Sequence, residues 1–308
     1  IFDVLFEDYD FSASNPVSLT MQKMIDLLEE HSLDKETENL EGFYNSVRLR
    51  VEGIDNAAGK QRIITELYEG FFSKAFPKAA ESLGIVYTPI ELVDFILHAT
   101  DHALRKHFGG LSISDEGIDV LDPFCGTGTF IVRLLQSGII KPEDFARKYR
   151  NELHSNEILL LAYYIAAINI ESTYHDEITK EDELTEYEPF NGIVLADTFQ
   201  MGETGDGTGV IDVFPENNER AGKQKRTTIE VIVGNPPYSA GQTSQNDDNQ
   251  NLKYELLDRG IAETYARMST ATSKNSLYDS YARAIRRASD IVQSVEEGGI
   301  VSFVTNGG

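Results

Sequence analysis

The chain has 308 residues, enough for one large or two modest domains with a real core. Asp and Glu number 51 against 27 Lys and Arg, and the resulting net charge of −24 argues against tight DNA binding by this chain alone, since phosphate contacts need cations. One cysteine excludes an internal disulfide, the six histidines form no metal-ligand pattern, and no stretch approaches the roughly 20 apolar residues of a membrane helix. With no signal-peptide pattern, a cytosolic (cytoplasmic) soluble protein is the default expectation. The chain begins at Ile1 without a methionine and stops at Asn306-Gly307-Gly308 just after an apolar run, so it reads as a piece of a longer polypeptide.

Residues 1 to about 85 read as mostly helical. Asn15 suits a helix cap and Pro16 the first helical position, after which Met21, Met24, Ile25 and Leu28 fall at helical spacing. A second amphipathic stretch runs from about residue 57 to 76, with Ile63, Ile64, Leu67, Phe71 and Phe72 as its apolar stripe. No catalytic constellation occurs in this region, and packing against a neighbour is the use it suggests. From about residue 86 strands and helices alternate. Thr88-Pro89-Ile90-Glu91 matches a capping box with proline at the first helical position, opening a helix to about Phe108. Strands are expected at 118–122, 152–156, 192–196, 230–234 and 299–305, and helices at 130–135 and 158–170. This alternation predicts an α/β fold, a parallel sheet with helices on both faces. Two segments, about 200–228 and 239–251, read as polar and irregular. The second is placed to form a mobile loop over a substrate. Arg220, Lys223, Lys225 and Arg226 read as a small basic loop and Arg283, Arg286 and Arg287 mark one helix; solvated faces explain both groups better than DNA contacts do.

Between the first expected strand and its helix lies Asp122-Pro123-Phe124-Cys125-Gly126-Thr127-Gly128-Thr129-Phe130. Gly126 and Gly128 would let the backbone approach a nucleoside closely. The third glycine of the dinucleotide fingerprint is missing, and no phosphate loop with its lysine is present, so nicotinamide and nucleoside-triphosphate readings fall. The turn suits S-adenosylmethionine, which has no phosphate to cradle. Asp122 would face the methionine moiety or order the turn. Glu157, ending the second strand, is placed to chelate ribose hydroxyls, and Asp197, ending the third, to accept from the adenine amino group. Thr88 would reach the methionine carboxylate. The plainer reading makes Glu157 and Asp197 exposed helix caps; their recurrence at successive strand ends favours the pocket. Cys125 reads as a small packed residue.

After the fourth strand comes Asn235-Pro236-Pro237-Tyr238. An exocyclic amino nitrogen is a poor nucleophile because its lone pair is delocalised into the ring. A site that methylates it should offer two acceptors, here the Asn235 side-chain carbonyl and the Pro236 backbone carbonyl, in a turn stiffened by Pro237. Tyr238 offers a face for a base. The alternative is a plain turn. Three functional readings stay open at this level: methylation of adenine N6 in DNA, methylation of a protein glutamine amide or an RNA amino group, and a non-catalytic cofactor-binding module that couples other domains.

The order Thr88-Pro89, Asp122–Phe130, Glu157, Asp197, Asn235–Tyr238 resembles the gamma class of N6-adenine DNA methyltransferases over residues 86 to 308. More closely, Phe6–Phe11, Ser14–Ser18, Asn249–Tyr254 and Lys274–Tyr281 look like segments of single-polypeptide type ISP (type I-like) restriction–modification enzymes. That resemblance implies a Rossmann-like S-adenosylmethionine-dependent methyltransferase from 86 to 308 with a helical coupler in 1–85. It implies Thr88, Pro89, Asp122, Phe124, Gly126, Gly128, Glu157 and Asp197 as cofactor contacts, with Asn235, Pro236, Pro237 and Tyr238 at the target nitrogen. It also implies DNA as a partner, engaged mainly through other segments, and a parent polypeptide carrying nuclease, helicase-like and target-recognition domains.

Overall fold

A computed structural model describes residues 11–29, 88–179, 187–203, 214–237, 254–270 and 275–305. The amphipathic stretch expected at 57–76, Tyr238 and the 239–251 segment lie outside the described residues. Five strands form one sheet: β1 (Val120–Asp122), β2 (Leu153–Glu157), β3 (Ile193–Leu195), β4 (Val231–Gly234) and β5 (Ile300–Phe303). Every neighbouring pair is parallel, and the order is β3-β2-β1-β4-β5. The expected strands are all present, each within two residues of its expected limits. The chain steps outward from β1 through β2 to β3, then crosses to the opposite side of β1 for β4 and β5. Adjacent strands β1 and β4 therefore flank the switch point where open α/β sheets bind ligands.

Strand residues alternate between two cores, as the period-two geometry of a strand requires. Val120, Leu153, Ile193, Leu195, Val231 and Val233 face the main core, with Val93 and Leu97 of α1 (Ile90–His107), Ile131 and Leu134 of α2 (Thr129–Gln136), and Tyr163 and Ala166 of α3 (Leu160–Thr179). Leu121 and Ile232 face the other side, against Ala288 of α5 (Ser280–Val292). Val194 and Ala196 meet Ala221 of α4 (Pro215–Arg226) on that same side. Helices thus cover both faces, the Rossmann-like arrangement expected. The N-terminal helix Pro16–Glu29 is built into the main core through Val17, fully buried, and Asn15 caps it by accepting from the amides of Val17 and Ser18, both at 3.1 Å.

Several local expectations need correcting. The segment read as irregular, 200–228, contains α4. Its buried stripe is Asn217, Ala221 and Gln224, so hydropathy showed no periodic face. Asn217 instead accepts from the Leu195 amide at 2.8 Å and donates to the Leu195 carbonyl at 2.9 Å, closing part of the free edge of β3. The four basic residues of this segment lie on that helix, not in a loop. Helix α3 runs well past Ile170, because the buried polar residues there are satisfied. Glu171 accepts from the Phe190 amide and the Tyr187 hydroxyl, and Thr173 donates to the Asn169 carbonyl. Thr88 does not cap α1, whose N-cap position is Pro89 with no side-chain cap. Nor do the three arginines of α5 form a solvated face: Arg283 makes a two-pronged pair with Asp258, Arg286 pairs with Asp290, and half-buried Arg287 donates to the Thr198 carbonyl.

Candidate active site

The carboxyl ends of β1, β2 and β4 bring together three of the expected acceptors. Gly126 and Gly128 adopt left-handed conformations, φ +55° and +85°. A Cβ on Gly128 would stand 3.2 Å from the Cα of Ala166, so the turn lies directly on α3. Asn169, one turn further along α3, donates to the Thr127 carbonyl at 3.0 Å and fixes the turn from beneath. Glu157 is buried; one carboxylate oxygen accepts from the Gly126 amide at 2.9 Å and the other from the Leu159 amide at 2.8 Å. It is not an exposed cap. Burial pushes its carboxyl up to about 7. Asp122 is wholly buried: Oδ1 accepts from the Phe124 amide at 3.2 Å, and Oδ2 has no partner. Burial, reinforced by the nearby Glu157, raises it to about 8. Cys125 is buried and its thiol pushed well up by burial, in keeping with a packed residue.

Gly234, last residue of β4, has no space for a side chain: a Cβ there would meet Asp122 Oδ1 at 2.8 Å. Asn235 follows directly. Its amide nitrogen donates to the Thr88 hydroxyl at 2.9 Å, while its carbonyl oxygen Oδ1 is buried without a partner. Thr88 therefore orients the asparagine, a role that sequence spacing concealed because the two are 147 positions apart. Pro236 is buried, Pro237 half-buried, and Pro89 exposed.

Asp197 lies two residues beyond β3. Its Oδ1 accepts from the amides of Phe199 (2.9 Å) and Gln200 (3.3 Å), just where the short helical turn Gln200–Gly202 begins, and its Oδ2 accepts from the Tyr254 hydroxyl at 2.8 Å. Phe124 packs in a cluster with Phe199 and Phe303, at ring separations of 5.4 and 6.3 Å. Nothing in the sequence pattern singles out Thr198, or Tyr254 beyond its place in a family-like segment. The Thr198 hydroxyl donates to the Pro123 carbonyl at 2.6 Å and ties the Asp197 loop to the glycine turn.

A family model of the N-6 DNA methylase matches residues 59–268. The chain belongs to that family. A model of the Type ISP restriction-modification enzyme coupler domain matches residues 1–59 of this methylase-family chain. Among solved structures, it is similar to the ATP-dependent Type ISP restriction-modification enzyme LlaBIII bound to DNA, with 49% identity, TM-score 0.87, and coverage of 99% of this chain and 20% of that one. It is likewise similar to a nuclease-deletion mutant of the Type ISP enzyme LlaGI in complex with a DNA substrate mimic (48%, TM-score 0.86, 99% and 24%). A DrdV–DNA complex gives 39%, TM-score 0.85, 99% and 29%. The chain thus spans less than a third of the length of each of these relatives. No curated protein matches it. Among the described residues, no helix is long and apolar enough to cross a membrane.

Proposed function

We propose that this chain is the coupler and methyltransferase portion of a cytoplasmic Type ISP-like restriction–modification enzyme, methylating adenine N6 in DNA with S-adenosylmethionine as donor. The coupler is taken as residues 1 to about 85 and the methyltransferase as 86 to 308. One observation carries the reading: Asn235 Oδ1 is a buried, unpartnered acceptor at the switch point of the sheet, held in orientation by Thr88. A buried acceptor without a donor costs about 1–3 kcal/mol, and an amino group entering the site recovers that cost.

The residues fit the donor. Asp122 Oδ2 is a second orphaned acceptor, and two buried carboxyls with raised pKa values suit a ligand bearing an ammonium and a sulfonium. Asp122, Phe124, Gly126, Gly128, Glu157 and Asp197 would hold it, with Thr88 and Pro89 at the methionine end. Bound there, it supplies a methyl group on positively charged sulfur. Asn235 Oδ1 and the Pro236 carbonyl accept the two N–H groups and draw the nitrogen lone pair out of conjugation, and Pro237 stiffens the turn. Tyr238 stacks on the base. No strong base is needed, since the proton can leave as charge develops on nitrogen. The adenine must leave the duplex stack to reach this site. DNA is gripped mainly by other parts of the longer polypeptide, including nuclease, helicase and target-recognition domains, which accords with the net charge of −24 here.

The test is Asn235→Ala in the full-length enzyme. Methylation of adenine-containing DNA should fall by about 10²–10³-fold or more, with S-adenosylmethionine affinity within about threefold of wild type, since the residue serves the target nitrogen. Undiminished methylation overturns the assignment. Activity on RNA or on a glutamine-bearing protein instead of DNA would move the acceptor while keeping the site.

A further inference from the structure

Tyr254 opens the short helix Glu255–Ile261, and its hydroxyl is aimed at the carboxylate assigned above to the cofactor's adenine. The residue is buried, with its ring edge-on to Phe199 (5.4 Å, 66°) and the Arg283 guanidinium 5.2 Å over its centre. Burial and the charge of Asp197 push the phenol well up, so it stays a donor at any working pH. The helix is anchored to the same loop a second time. Glu203 accepts from the amides of Leu256 (2.8 Å) and Leu257 (3.1 Å), 53 and 54 positions away. The 197–203 loop and the start of the helix therefore form one clamped unit.

Counting lone pairs shows what the hydroxyl does. A carboxylate offers about four acceptor positions, two on each oxygen. On Asp197, Oδ1 already takes two backbone amides, and Oδ2 takes Tyr254. One acceptor direction remains, on an oxygen that cannot rotate without breaking three hydrogen bonds. Such a group suits a donor and repels another acceptor.

Resting on the Asp197 reading given above, we propose that Tyr254 is a specificity-determining positioning residue. It pins Asp197 Oδ2 so that the pocket accepts a purine with a 6-amino group and rejects one with a 6-oxo group. The hydroxyl stays engaged when the cofactor is bound; the base adds a second donor to Oδ2 and does not displace the first. Without the hydroxyl, Oδ2 admits water or turns, and a 6-oxo purine can be bridged through that water.

The experiment is titration calorimetry of the chain with S-adenosylhomocysteine and with its 6-oxo counterpart, S-inosylhomocysteine. Wild type should prefer the adenosyl compound by about 10–100-fold or more, as expected where a site is built around a donor. Tyr254→Phe keeps the ring packing and should reduce that ratio to within about threefold, chiefly by weakening the adenosyl compound. A merely structural role would weaken both compounds alike and leave the ratio standing, which overturns the proposal. Tighter adenosyl binding by Tyr254→Phe also overturns it, because the hydroxyl would then be competing with the base. Asp197→Asn provides the second arm. It should flatten the ratio, and adding Tyr254→Phe should change it no further, whereas independent effects of the two substitutions speak against the mechanism. A wild type that binds both compounds equally defeats the Asp197 assignment itself, and one that binds neither defeats the cofactor reading.

Discussion

Asp122 and Glu157 sit at the head of the sheet in surroundings that oppose their ionisation, and this gives the pocket a measurable proton linkage. In the unfolded chain both lose their protons near pH 4, whereas the folded chain retains them to about 8 and about 7. Between those limits the native state binds more protons than the unfolded one, so stability falls as pH rises from about 4 to about 8 and then levels. Glu171, raised to about 7 by burial, acts with the same sign. Urea midpoints at about pH 5.5 and 8.5 should show this decline, and Asp122→Asn should make it shallower. A cationic ligand reverses the bias. Near pH 7 S-adenosylmethionine binding should release protons, seen as a calorimetric enthalpy that varies with buffer ionisation heat, and less so in Asp122→Asn. Gly234→Ala tests the same place by steric means. The methyl group would meet Asp122 Oδ1 at 2.8 Å, so we expect a loss of about 1–3 kcal/mol by thermal denaturation and weaker cofactor binding. The glycines, Asp122 and Asp197 could be placed from sequence because each follows an apolar strand, and Glu157 because it stands just before the apolar helix α3. The grip of Thr88 on Asn235 could not, because the same four residues fit a local capping pattern that the tertiary contact overrides.

Elements with apolar periodicity were legible, and those buried through polar groups were not. Four of the strands carry short runs of Val, Ile or Leu that place them; β2, Leu-His-Ser-Asn-Glu, has one apolar residue and is placed only because it leads into the apolar helix α3. Helix α4 hides because Asn217 and Gln224 take the inward positions usually held by leucine. Gln224 donates to the carbonyls of Ser155 and Gly192, both at 3.3 Å, and Asn217 matches the amide and carbonyl of Leu195 as a neighbouring strand would. A similar cause shortened the expected α3, which continues through Glu171 and Thr173. Since Asn217 satisfies two buried backbone groups at once, Asn217→Leu, which keeps the branching of the side chain but not its polar atoms, should destabilise the fold by about 2–4 kcal/mol by denaturant titration. Equal stability of the variant would mean that the β3 edge finds other partners. Arg283, Arg286 and Arg287 teach the converse lesson: a basic stripe in sequence need not be a free surface once Asp258, Asp290 and the Thr198 carbonyl engage it.

At the scale of the whole molecule, the N-terminal helix and the glycine turn share a support. Asn15 Nδ2 donates to the buried Tyr163 hydroxyl at 3.1 Å, and Tyr163 lies on α3 one turn before Ala166, against which Gly128 rests. Asn15→Ala removes both a helix cap and this bond, and should cost about 2 kcal/mol. Because the lost contact bears on α3, cofactor affinity should fall as well; a drop in stability with unaltered affinity would show that the two regions are only joined, not coupled. The sheet also has two unlike sides. Leu195, outermost at one margin, already has its amide and carbonyl taken by Asn217, while among the described residues β5 pairs with β4 alone. A second strand laid along β3 would find the Leu195 amide and carbonyl already engaged, which makes that margin a poor template for edge-to-edge pairing.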